Sequence, residues 1–194
     1  MSRKSQTRLR VLETARRLLE ERGYHGVGLE EVATGAGVSR QTVYLHFGSK
    51  SGLLVALVEW VDQSEGLAEL FDPVWSSTNG TEALARAIAA TAVYEPRIHR
   101  LAMVLATVRR TDPAADAAWQ DRMSGRRSAF RQIVNRIRRD GMLAPGWNVD
   151  DAVDLIWAVT APWTYDALVV ERGWPSSRWV RHTRDLLFSA LIQQ

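Results

Sequence analysis

Between residues 9 and 19, Val11, Leu12, Ala15, Leu18 and Leu19 recur at the three- and four-residue spacing of one helical face, with Arg10, Arg16 and Arg17 on the other. Gly23 ends that pattern. A second, short helix is expected from Leu29 to about Ala36, apolar at Leu29, Val32 and Ala33. Glu30 and Glu31 stand in its first turn, where carboxylates favour the positive end of the helix dipole. Gly37 supplies a turn. Ser39 can cap a third helix from Arg40 to about Phe47, because its hydroxyl accepts a bond from a backbone N–H two or three residues on. In that helix Val43 and Phe47 lie four apart and pack inward with Val38, which leaves Arg40, Gln41, Thr42, Tyr44 and His46 mostly outward. Gly48 and Ser49 close it, and Leu53, Leu54, Leu57, Val58 and Val61 give a fourth helix the spacing of a buried stripe.

The remainder also reads as helical. Turns are expected at Asp72-Pro73, Thr78-Asn79-Gly80, Glu95-Pro96, Asp112-Pro113, Ala144-Pro145-Gly146 and Gly173-Trp174-Pro175. The helical segments between them run at about 81–94, 97–110, 114–140, 149–172 and 176–192, about nine helices in all, with Pro162 expected to kink the eighth. No alternating β-branched pattern and no fixed-period repeat occurs. The fold class is therefore all-α, with a compact unit over residues 5–65, its helix-turn-helix at about 28–47, and a second helical domain over 66–194.

Composition adds one asymmetry. The chain has 194 residues, 46% hydrophobic and 24% charged, with a net charge of +3. Residues 1–50 carry nine Lys/Arg against five Asp/Glu, whereas residues 51–194 carry sixteen against seventeen. A basic first quarter fits a polyanionic partner, although a charge run is also what a solvated face looks like. There is no cysteine, no apolar secretion signal at the N-terminus and no run approaching the roughly 18 apolar residues of a membrane span, so a cytoplasmic location without membrane association is expected. The chain has no G-x-S-x-G, H-E-x-x-H or phosphate-loop pattern, and His25, His46, His99 and His182 are isolated. Neither catalysis, nor a metal, nor a cofactor is expected.

The stretch from Gly35 to Leu54 carries the chemistry. A turn glycine, hydroxyl and amide side chains on a short capped helix and a lysine just beyond are what a helix-turn-helix needs to enter DNA. Ser39, Arg40, Gln41 and Thr42 begin the recognition helix, the end expected at base edges. Arg40 suits guanine or a phosphate, and Gln41 suits an adenine edge. These residues resemble the TetR family of bacterial transcriptional regulators. The matching features are Gly23-Tyr24, Val32-Ala33, Ala36-Gly37-Val38-Ser39, Thr42-Val43-Tyr44, His46-Phe47, and Ser49-Lys50 followed by Leu53. Beyond residue 65 the resemblance is looser, with Tyr165 to Val170 and Arg172-Gly173-Trp174 similar to the end of one subgroup. Three positions depart from the pattern. Gly28 replaces a hydroxyl that caps the second helix and touches phosphate, Gln41 replaces a common glycine, and Ser51 replaces an acidic residue.

The resemblance implies that Tyr44 and Lys50 lie at the DNA backbone, where we also expect His46, Arg3 and Lys4. Tyr44 as a packing residue and His46 as a solvated one are the competing readings. It also implies a homodimer joined through the last two helices, about Asp151 to Arg172 and Arg178 to Ile192, with Val180, Leu187, Phe188 and Leu191 either at that interface or in the chain's own core. Trp60, Trp75, Trp119, Trp157 and Trp163 fall on or near the helices that surround the family's effector cavity. Tyr94, Met103, Met123, Phe130 and Tyr165 are expected to complete its lining, with ordinary core packing as the alternative. The function so implied is that of a repressor that binds a palindromic DNA operator and is released by a small, mostly apolar effector. The alternatives are a ligand-binding or interaction module without operator specificity, and an effector-independent regulator or activator.

Overall fold

The second and third helices form where a capping residue and an inward apolar face coincide. The computed structural model describes residues 3–193. Helices α1 (Arg3–Arg22), α2 (Leu29–Gly35), α3 (Arg40–Phe47) and α4 (Lys50–Ser64) are followed by α5 (Leu67–Trp75), α6 (Gly80–Val108), α7 (Pro113–Arg139) and α8 (Val149–Val159). The chain ends with α9 (Pro162–Tyr165), a π-helical turn (Asp166–Glu171) and α10 (Ser176–Leu191). Among the described residues the one extended pairing is an isolated bridge between Leu143 and Ile192. No described helix is long and apolar enough to cross a membrane.

Two compact units result, and they do not divide at a single point in the chain. The first contains Met1–Ser64 and Arg100–Asp121, the second Glu65–His99 and Arg122–Gln194. In the first unit Val11, Leu12, Ala15, Leu18 and Leu19 of α1 meet Leu53, Leu54, Leu57 and Val61 of α4, with Val32, Ala33 and Val43 closing the core beneath α2 and α3. Leu101, Leu105, Val108 and Trp119 are buried in this same unit. At about 25 cal/mol per Å² of apolar surface removed from water, such side chains are what holds short helices that would be marginal alone.

The core of the second unit gathers Leu84, Ile88, Ile133, Val134, Ile137, Val153, Ile156, Tyr165, Trp179, Leu187 and Leu191. Leu187 and Leu191 are therefore core residues, fully buried, and Val180 and Phe188 pack partly against them. Gly80 opens α6 against the backbone of α7. A Cβ there would stand 2.3 Å from the Ile137 nitrogen, so only glycine permits the approach.

Three proline positions differ from the sequence reading. The expected turn at Asp72-Pro73 lies inside α5, a helix the sequence did not suggest, with Pro73 near its end. The expected turn at Glu95-Pro96 is continuous helix: α6 runs through Pro96 for 29 residues. The expected eighth helix over 149–172 is not kinked but interrupted, because α8 stops at Val159 and Pro162 becomes the first residue of α9. Pro is favoured there, since that N–H has no helical partner in any case.

Candidate functional site

The helix-turn-helix is built from two caps and one left-handed residue. Gly37, at φ +66°, reverses the chain after α2. Its N–H donates to Thr34 and that of Val38 donates to Ala33, which satisfies two carbonyls at the end of α2. Ser39 then caps α3: its hydroxyl accepts from the Thr42 N–H at 3.1 Å and lies 2.9 Å from the Thr42 hydroxyl. Gly28 caps α2 through backbone alone, with no side-chain bond. At the start of α4 the Ser49 hydroxyl accepts from the Gly52 N–H at 2.9 Å.

With Val43 fully buried, α3 turns Arg40, Gln41 and Tyr44 to solvent, Tyr44 at 62% exposure. Ser39 is exposed as well, while Thr42 and His46 are half-buried and the His46 ring tilts against Phe47 at 5.9 Å. Arg3 and Lys4 are exposed in the first turn of α1. Leu45 is the residue the sequence did not single out, and at 78% it is the most exposed large apolar side chain described.

Lys50 is held rather than loose. Its Nζ donates to the Tyr24 carbonyl and stands 4.1 Å from the centre of the Tyr24 ring. Burial lowers its pKa from the ordinary lysine value. The Tyr24 phenol is raised, by burial first and by the charge of Asp112 second. Arg8 similarly stands 4.8 Å over the Phe47 ring at the end of α3.

The residues expected to line an effector cavity fall in both units. In the first, Trp60 borders an open groove of about 310 Å³ whose other lining residues, Glu13, Arg16, Arg17, Glu20, Glu21 and Arg100, are all charged. Met103 is half-buried, and Trp119 is buried with the Arg109 guanidinium 5.1 Å from its ring. In the second, Trp157 and Trp163 pair edge-on at 5.1 Å, Trp75 is 42% exposed, and Tyr94 and Met123 are half-buried. Tyr165 is buried between Trp179 and His99, 5.6 Å from each ring. Phe130 is buried beneath the Arg126 guanidinium, which lies 5.4 Å from its ring.

Around Tyr165 lies a polar cluster the sequence did not reveal. Glu95 and His99 of α6, Arg126 of α7, Thr160 after α8 and Asp166 of the π turn converge inside the second unit. Glu95 and His99 stand four apart, a spacing visible in the sequence only once Pro96 is placed within a helix. Among the described residues no group of three His, Cys, Asp or Glu side chains could hold a metal ion.

Residues 11–57 match the family model of bacterial regulatory proteins, tetR family. The HTH-type transcriptional regulator UidR of Escherichia coli K12 is 34% identical over 68 residues, 35% of this chain and 34% of UidR, so the match spans about a third of that relative. Over nearly the whole chain the fold is similar to a Saccharomonospora viridis transcriptional regulator crystallised with choline (TM-score 0.83, 19% identity, 98% of this chain and 100% of that one). It is also similar to FadR of Bacillus subtilis in complex with stearoyl-CoA (TM-score 0.79, 21% identity, 94% and 98% covered).

Proposed function

We propose that this chain, whose residues 11–57 match the model of the tetR family of bacterial regulatory proteins, is a homodimeric repressor that reads a palindromic operator with α3 and is released by a small molecule. The observation that carries this reading is the outward face of α3. It is a short helix capped by Ser39 and anchored by fully buried Val43, presenting Arg40, Gln41, Tyr44 and Leu45 on one surface. A rigid helix with a polar end is what major-groove readout needs. Arg40 and Gln41 supply the bidentate groups for guanine and adenine, and Leu45 supplies apolar contact for a thymine methyl. Tyr44, His46, Lys50, Arg3 and Lys4 are the backbone contacts, setting position but not sequence.

Two similar folds bind choline and stearoyl-CoA. A helical second unit that binds a small molecule is the corresponding reading here. Such a ligand must bind the operator-competent and incompetent dimers unequally, since equal affinity shifts nothing. A coupling of about 1–3 kcal/mol would loosen the operator roughly 5- to 150-fold.

Selection of random duplexes by the full-length protein tests the reading. A recovered palindrome with half-sites about one helical turn apart supports it. Gln41→Ala should then relax preference at one base position by about 1–3 kcal/mol. Failure to enrich any sequence would leave a ligand-binding module without operator specificity, which the loss of a hydroxyl at Gly28 alone favours.

A further inference from the structure

Four ionisable side chains, Glu95, His99, Asp166 and Arg126, meet within the second unit. Glu95 and His99 face inward one turn apart on α6, their side chains 5% and 9% exposed. The His99 Nε2 lies 2.6 Å from Asp166 Oδ1. Arg126, half-buried, donates to the Thr160 carbonyl and, at 2.8 Å, to its hydroxyl. Tyr165 walls the cluster, and its hydroxyl stands 3.3 Å from that of Ser176.

Two atoms at the centre have no hydrogen-bond partner: Glu95 Oε2 and His99 Nδ1. They face each other 3.8 Å apart, too far to bond directly. Leaving such groups unpaired inside a protein is costly, and the great majority of buried polar atoms in native structures are paired with protein, water or a bound group. The backbone is irregular on both sides of the pair. Pro96 offers no N–H to the carbonyl of Ala92, and Asp166 opens a π turn, a feature that recurs at functional sites.

We propose that Glu95, His99 and Asp166 are the polar anchor of a site for a protonated amine, whose nitrogen bridges Glu95 Oε2 and His99 Nδ1. This rests on the reading that the second unit binds the effector, and names its chemistry. When Nε2–H of His99 is donated to Asp166, Nδ1 becomes an acceptor, as Glu95 Oε2 already is. Two acceptors 3.8 Å apart can both lie at ordinary hydrogen-bond length from one nitrogen that donates twice. An alcohol has one proton to give. An anion meets two carboxylates. With His99 neutral, Glu95 and Asp166 outweigh Arg126 by one negative charge, which a cation completes, and the Tyr165 ring adds an aromatic wall suited to it.

Without the amine, a proton on His99 does the same work. The His99 pKa is raised, chiefly by its interaction with Glu95 and also by Asp166, against the opposing effect of burial. The charged groups facing it are Glu95 on its own helix and Asp166 on the π turn, and Arg126 on α7 acts on Glu95. Binding of the amine therefore expels the imidazolium proton to solvent. Affinity should rise with pH through the raised His99 value and level off above it, where no proton remains to compete.

Calorimetric titration of the full-length protein with n-alkyl amines of four to ten carbons, beside the alcohol and carboxylate of each length, tests this. Run at several pH values in buffers of different protonation enthalpy, it should show amine binding at least tenfold tighter than either neighbour, with release of a proton near and below the His99 value. Glu95→Gln, which keeps the shape, should cost at least tenfold. His99→Gln should abolish the pH dependence. Absence of amine binding, or equal binding by a folded Glu95→Gln protein, overturns the site; if that variant does not fold, an amine affinity independent of pH in the wild type does so. Operator binding separates the two readings. An amine held through Glu95 that leaves operator affinity unchanged keeps the site and removes the effector role. Operator release by a compound that binds wild type and Glu95→Gln alike does the reverse.

Discussion

Lys50 joins two parts of the first unit, because its ammonium rests on the Tyr24 carbonyl and ring while its backbone begins α4. A lysine held this way delivers its charge at a defined point, and two of its three donor hydrogens are not needed by the Tyr24 carbonyl. Lys50→Ala should therefore weaken operator and random DNA together and make the log K against log salt slope shallower by about two for the dimer, one for each protomer's lost contact. Unchanged affinity at two salt concentrations would remove Lys50 from the phosphate contacts. The sequence suggested Lys50 as a phosphate contact through its place after Ser49. Its partner was not, since Tyr24 lies 26 residues away and no periodicity links them. Leu45 was missed for a related reason. A leucine in a short helix reads as core, but the inward side of α3 is narrow and already filled by Val43 and Phe47.

Among the elements, those with a cap and an inward stripe were readable to within a residue or two, as α2 and α3 were. The proline-containing ones were not. A proline in a helix interior costs roughly 3 kcal/mol, so Glu95-Pro96 is most simply read as a turn. The buried residues Ala87, Ile88, Leu101 and Leu105 on both sides outweigh that cost and carry α6 through. Breaking α6 on paper placed Glu95 and His99 on different elements, and the buried cluster vanished with it. The cap of α2 offers a direct measurement at this scale. Gly28 sits at φ −102° and ψ 155°, the geometry of a capping residue, and a Cβ there meets nothing within 4 Å. Gly28→Ser should therefore stabilise the protein by a few tenths of a kcal/mol through a bond to an orphan N–H of α2. The melting temperature should rise by about 1 °C. The same hydroxyl should tighten binding to random DNA. A fall in melting temperature would show that the cap was not what the position lacked.

For the molecule as a whole, the question is how one helix can serve both its own core and a second copy. Leu187 and Leu191 of α10 are fully buried within the chain, so they are not available to a partner. The outer side of the same helix keeps Leu186 at 55% exposure, flanked by Arg181, His182, Asp185 and Ser189. An exposed leucine among polar residues is the composition of a small interface centre with a polar rim. If α10 joins two copies there, Leu186→Glu places a charge on each side of the two-fold axis, and the like charges repel while losing the apolar contact. The variant should sediment as a monomer at micromolar concentration with unchanged helical content. Its affinity for a single half-site should match the wild type, since α3 is untouched. Affinity for the full palindrome should fall at least about a hundredfold, because linking two readers raises the effective concentration of the second at its half-site by roughly that factor or more. A Leu186→Glu protein that stays dimeric would move the interface off this face of α10, and one that becomes monomeric yet binds the palindrome as before would remove dimerisation from operator recognition.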